Sequence, residues 1–169
     1  MTRKILITLA VLIVSIAAFA GDHNHMAQKA PSSPAFDKMK SLVGNWKANV
    51  PGMGDIDATY SMYSDGGALL EELKMPGEMS MITVYYPTSN GVAMTHYCSD
   101  HNQPHMVAKG GAERVTFKAV SVDNLASKDA AHMKAVDFAF KDSDHFTATW
   151  THTGEGKDSP VPFNFTRVR

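Results

Sequence analysis

The chain has 169 residues, 44% of them hydrophobic and 20% charged, with a formal net charge of −1. That length suits one domain with a real core and is short for two, and the apolar content excludes a wholly disordered chain. The charge balance speaks against nucleic acid as a partner, and a single cysteine excludes an intramolecular disulfide, so the core must hold the fold.

Residues 1–20 read as a signal peptide. Arg3 and Lys4 form a positive start, Ile5 to Ala18 is an apolar run broken only by Thr8 and Ser15, and Ala18-Phe19-Ala20 offers small residues at the two positions that a signal peptidase reads. The run is short for a bilayer span, so no membrane anchor is expected after cleavage. Removal of this segment leaves 14 Lys and Arg against 17 Asp and Glu. The expected product is exported, either periplasmic or secreted.

Residues 21–34 lack apolar periodicity and carry Gly, Asn, Gln, Ser and Pro, which predicts a flexible leader. Cleavage after Ala20 would expose Gly21-Asp22-His23. A terminal amine, two backbone amides and the His23 imidazole can close a square-planar nitrogen site of the kind Cu(II) or Ni(II) prefers.

The domain is expected over residues 35–169. Ser33 is an N-cap candidate and Pro34 suits a first helical turn, while Phe36, Met39, Leu42 and Val43 share one face of a short helix that Gly44 ends. A strand starts at Gly44-Asn45-Trp46. Short strands separated by turn signals come next: Ile56 to Tyr63, Ala68 to Lys74 after Asp65-Gly66-Gly67, Ser80 to Tyr86, and Val92 to Cys98. Beyond them come Met106 to Lys109, Glu113 to Val120, His132 to Phe140, the alternating Phe146-Ala148-Trp150 segment, and a last strand with Phe163, Phe165 and Arg167 on one side. In His132–Phe140, strict alternation puts Met133 on the face opposite Val136 and Phe138. The pattern predicts an all-β fold of about ten antiparallel strands after one helix, an up-and-down barrel rather than a sandwich because closure removes exposed edges.

The stretch Met94-Thr95-His96-Tyr97-Cys98-Ser99-Asp100-His101-Asn102-Gln103-Pro104-His105-Met106 concentrates chemistry. On a strand, Met94, His96 and Cys98 share one face, with Thr95 and Tyr97 on the other. If the first set faces a lumen, a thioether, an imidazole and a thiol line one wall. Those donors suit Cu(I), Zn(II) or haem iron, with His101, His105 and Met106 as further ligands near the mouth. Against that stands ordinary core packing of Met94 and Cys98 around a hydrogen-bonded His96. Met75, Met79 and Met81 bracket one turn and suit either a flexible apolar pocket or Cu(I). His132 with Met133, and His145, read as loop-edge residues without a special role. No paired carboxylates, phosphate loop, zinc-protease motif or serine elbow is present, so no catalytic set is assigned.

Gly44-Asn45-Trp46 after an N-terminal helix resembles the Gly-x-Trp opening of lipocalin-like (calycin) barrels. The resemblance implies that Arg167 on the last strand packs across Trp46 and closes the bottom, with a cation–π contact as the physical reason. Leu42-Val43-Gly44-x-Trp46 is also similar to nitrobindin-type barrels, which implies haem held by a histidine near the C-terminal strands, here His152. Thr95-His96-Tyr97-Cys98 with Asn102-Gln103-Pro104 resembles a family of exported bacterial proteins of unknown function, over roughly Phe36 to Arg169.

The expected function is binding of a small apolar or amphipathic molecule, with Met94, His96, Tyr97, Cys98, Asn102 and Gln103 as contact residues. The alternatives are a copper-handling protein using Gly21-Asp22-His23 and the His96–Met106 block, and a haem-binding barrel.

Overall fold

The computed structural model describes residues 32–109, 111 and 113–169. The signal-like segment and Gly21-Asp22-His23 lie outside these residues. One short helix, α1 (Pro34–Lys40), precedes ten strands: β1 (Gly44–Val50), β2 (Gly54–Tyr63), β3 (Ala68–Lys74), β4 (Ser80–Thr88), β5 (Gly91–Tyr97), β6 (Gln103–Lys109), β7 (Arg114–Asp123), β8 (His132–Phe140), β9 (His145–Gly154) and β10 (Lys157–Val168). Each strand pairs antiparallel with the next and β1 pairs with β10, so the sheet closes into an up-and-down barrel. Closure satisfies the backbone groups that an open meander would leave on two edges.

Local chemistry sets the start of the chain. The Ser33 hydroxyl accepts from the Phe36 amide at 3.1 Å, capping α1, and donates to the Gly91 carbonyl at 2.7 Å. Pro34 opens the helix where its missing N–H costs nothing. Ala35, Phe36 and Met39 are buried, so the helix packs its apolar face against the barrel. Gly91 is needed where it stands: a β-carbon there would lie 2.1 Å from the Ala108 carbonyl oxygen.

Consecutive hairpin turns alternate between the two ends of an up-and-down barrel. At one end lie α1, the β4–β5 and β8–β9 turns, the start of β1 and the end of β10. Arg167 closes this end. Its guanidinium stacks over Trp46, with Cζ 4.0 Å from the ring centroid, and donates to the carbonyls of Ser41, Val43 and Ser143, each at 2.9 Å. Gly44, with φ of 125°, leaves room for it; a β-carbon would meet the Arg167 Nη1 at 2.9 Å. The Trp46 indole donates to the Leu42 carbonyl at 2.6 Å. Above this closure the interior is filled by aromatic side chains, including Trp46–Phe146 edge to face at 4.7 Å and Phe146–Phe165 stacked at 4.9 Å.

The strand β8 departs from the alternation its sequence suggests. A register shift against β9 between Met133 and Ala135 lets Met133 turn inward together with Val136 and Phe138. A bulge adds one residue to a strand and so reverses the facing of the residues beyond it.

Candidate functional site

The inner wall carries an unusual polar row. Register places Tyr60 of β2, Glu71 of β3, Thr83 of β4 and His96 of β5 directly opposite one another on four successive strands. Residues opposite each other in a ladder point the same way, so all four face the interior. Each is 1% exposed. The Tyr60 hydroxyl donates to one Glu71 oxygen at 2.6 Å, and the Tyr85 hydroxyl to the other at 2.7 Å. The Thr83 hydroxyl stands next to Glu71 in the ladder and lies 2.9 Å from His96 Nδ1. Burial pushes the Glu71 carboxyl up from its usual range, and the three hydroxyl donors pull it back. The tyrosines are held well above their usual value, by burial first and then by the Glu71 charge.

At the end of this row His96 meets a chamber. Burial lowers its pKa to about 4, with the Asp100 charge opposing, so the ring is neutral around pH 7. His96 Nε2 has no protein partner, and neither does the buried indole N–H of Trp150 on β9. The two rings lie 4.8 Å apart between centroids, tilted by 40°.

Both rings line one cavity of about 280 Å³ at the end of the barrel opposite Arg167. Its walls include Leu73, Met81, Val161 and Phe163, with Met75 and Met133 nearer the rim. His152 stands at the mouth, its Nε2 3.1 Å from Asp100. That contact ties β9 to the β5–β6 turn across the opening. Cys98 lies just outside the chamber in a rim pocket with Met53, Met79 and Asp100. Burial pushes its thiol up, which keeps it protonated and a weak nucleophile near neutrality.

The remaining sequence candidates are scattered. Met94 and Met106 are cross-strand neighbours, fully buried in the core and not part of the chamber wall. Tyr97 is 45% exposed on the outer face, opposite Ile82, and so does not reach the chamber. His105 is also turned away from the interior, held by Thr95 at 3.0 Å and Asp123 at 2.9 Å. His101 is exposed at the tip of the β5–β6 turn with φ of 61°. Asn102 is buried there and donates to the Ala131 carbonyl at 2.9 Å, while Gln103 accepts from Asn124 at 2.7 Å. His23 lies outside the described residues. The alternation on β5 that separates Met94, His96 and Cys98 from Tyr97 is therefore present, yet only His96 of the first set reaches the chamber.

Glu71, Thr83, Trp150 and Met133 were not singled out from sequence. A signal existed for two of them: Leu69, Glu71 and Leu73 alternate, which puts the carboxylate on an apolar face, and Phe146, Ala148 and Trp150 do the same. Met133 had none, because its facing depends on the bulge.

Two cofactors can be weighed against this geometry. His152, the histidine that the nitrobindin resemblance implies for haem, stands at the chamber mouth and pairs with Asp100 at 3.1 Å. Among the described residues no three His, Cys, Asp or Glu side chains gather closely enough to hold a metal ion. No protein-family model matches the chain, and no curated protein matches it in sequence.

Proposed function

We propose that this barrel binds a small apolar or amphipathic molecule in the chamber and does so outside the cytoplasm, after loss of residues 1–20, as an exported calycin-type carrier. One observation carries the reading. Arg167 caps Trp46 at one end and the middle of the barrel is packed, while the other end opens into a cavity walled by Leu73, Met81, Trp150, Val161 and Phe163. A volume of about 280 Å³ lies at the lower edge of small-molecule pockets. Apolar walls supply area, and methionines at the rim adapt to shape.

The test is a titration of the mature chain with the neutral dye N-phenylnaphthylamine, whose emission rises in apolar surroundings. Wild type should enhance the emission, and Met81→Trp, which fills the cavity, should abolish the rise while keeping the far-UV spectrum of a folded barrel. Equal enhancement in folded Met81→Trp places the dye elsewhere and sinks the reading.

A second reading rests on the rim. Met53, Met75, Met79, Met81 and Met133 ring the mouth around His96 and Cys98. Thioether, thiol and imidazole are soft or borderline donors suited to Cu(I). This reading expects stoichiometric Cu(I) uptake under reducing conditions that falls in the Met75→Leu, Met81→Leu double variant. Uptake that is unchanged there, or that disappears only when His23 is removed, would rule out the rim.

A further inference from the structure

The methionines around the mouth make the chamber sensitive to oxidants; this deepens the proposed binding role and rests on it. Five of the nine methionines among the described residues gather at one end of the barrel. Met53 comes from the β1–β2 turn, Met75 and Met79 from the β3–β4 connection, Met81 from β4 and Met133 from β8. Met53, Met75, Met81 and Met133 line both the chamber and the rim pocket, and Met79 lines the rim pocket. Their exposure is graded. Met53 and Met79 are 42% and 44% exposed, Met75 and Met133 are half-buried, and Met81 is buried. Met39, Met94 and Met106, by contrast, are fully buried in the core. We propose that the rim methionines are an oxidation site, where conversion of thioethers to sulfoxides by a hypohalous acid turns the apolar mouth polar and releases the ligand.

The step balances without help from the rest of the chain. The sulfur lone pair attacks the chlorine of hypochlorous acid, the O–Cl bond breaks and hydroxide leaves. Water then adds to the chlorosulfonium, chloride departs and two protons are lost, one of them neutralising the hydroxide. In sum, thioether and hypochlorous acid give sulfoxide, chloride and one proton; sulfur loses two electrons and chlorine gains them. A flexible apolar side chain thereby becomes a polar one that calls for hydrogen-bond donors. The adjoining wall of Leu73, Val161 and Phe163 has none to offer. A sulfoxide at Met53 or Met79 can turn to water, whereas one at Met75 or Met133 borders the space that an apolar ligand fills. Cys98 is the other oxidisable sulfur at the rim, but it is 9% exposed and lies outside the chamber. The glutathione and thioredoxin that keep sulfur reduced in the cytoplasm are absent from the compartment proposed for this chain.

The experiment treats the mature chain at pH 7 with rising equivalents of hypochlorous acid. Peptide mass spectrometry then reads each methionine, and N-phenylnaphthylamine titration reads the chamber. Met53 and Met79 should oxidise at the lowest dose and Met75 and Met133 next, while Met39, Met94 and Met106 stay reduced. Dye affinity should fall by about tenfold or more once Met75 and Met133 are sulfoxides. Treatment with the two methionine sulfoxide reductases should restore it, which separates a reversible change at the mouth from unfolding and needs no variant. A chain carrying Met53→Leu, Met75→Leu, Met79→Leu and Met133→Leu should bind the dye as wild type does and keep it through the same dose. Unchanged dye affinity with the four rim methionines oxidised would overturn the proposal while leaving the apolar chamber in place. Oxidation of the core methionines at the same dose as the rim would overturn it too. Equal dye loss in the leucine chain would do the same, by assigning the loss to Cys98 or Trp150. If the untreated chain does not bind the dye, the binding role itself falls and the oxidant response with it.

Discussion

His96 stays neutral because its imidazole is buried between Thr83 and the Trp150 ring, where a charged ring would lose its hydration. The linkage to stability has a definite sign. An unfolded chain protonates this histidine near pH 6.5, whereas the folded one resists until about pH 4. Stability contributed by the neutral ring is present above pH 6.5 and is lost as pH falls from there to about 4, by roughly 3 kcal/mol in all. Glu71, whose folded pKa is raised, acts the other way: its contribution is present below its unfolded value and is lost as pH rises. Comparing wild type with His96→Gln cancels the Glu71 part. The stability advantage of wild type at pH 7 should therefore shrink by about 3 kcal/mol at pH 4, measured by urea unfolding at both values. Parallel pH dependence in the two proteins would show that the ring is not held neutral. Residue-level facts of this kind were partly legible. His96 stood out by its company, but the polar row it belongs to includes Glu71, which lies 25 positions away in the chain and joins it only through Thr83 of β4.

At the level of elements, hydrophobic periodicity and turn chemistry carried most of the information. The strand β3 forms over Ala68–Lys74 although Glu71, Glu72 and Lys74 tolerate helix. Its neighbours β2 and β4 supply ladder partners on both sides, so context outweighs propensity. The helix α1 is capped by the residue expected, Ser33, but that serine also reaches Gly91 in the β4–β5 turn, a contact 58 positions apart that no local pattern encodes. β8 shows the opposite limit. Perfect alternation predicts Met133 and Val136 on different faces, and one bulge puts both inside. The Met94–Met106 stretch shows a third case. As a sequence it is one cluster; as β5, a turn and β6 it is dispersed among chamber, core, rim and outer face.

For the molecule as a whole, the two ends differ in kind: one is capped by Arg167 over Trp46, the other holds the apolar chamber. Arg167 joins three segments at its end of the barrel, because its guanidinium donates to carbonyls after α1, just before β1 and in the β8–β9 turn. Arg167→Ala should cost about 2 kcal/mol, allowing for a side chain that is partly exposed, and lower Tm by roughly 5 °C. Arg167→Lys should recover only a fraction of this, since an ammonium cannot serve three carbonyls and the indole face together. A midpoint like wild type in both would mean that the closure adds nothing to stability. Dye binding should survive in either variant, because the chamber lies at the other end.

What the amino-acid sequence determined by itself was the architecture: alternation with period two, turn residues between short runs and one capped helix leave little besides a closed antiparallel barrel. Those signals are local, so they can be read without coordinates. Tertiary structure alone decided which inward residues meet a cavity and which meet packed core. That distinction depends on strand register around the barrel, the β8 bulge and the aromatic filling of the half near Arg167. These set Tyr60, Glu71, Thr83 and His96 in one row and bring His96 and Trp150, on β5 and β9, to the same small volume.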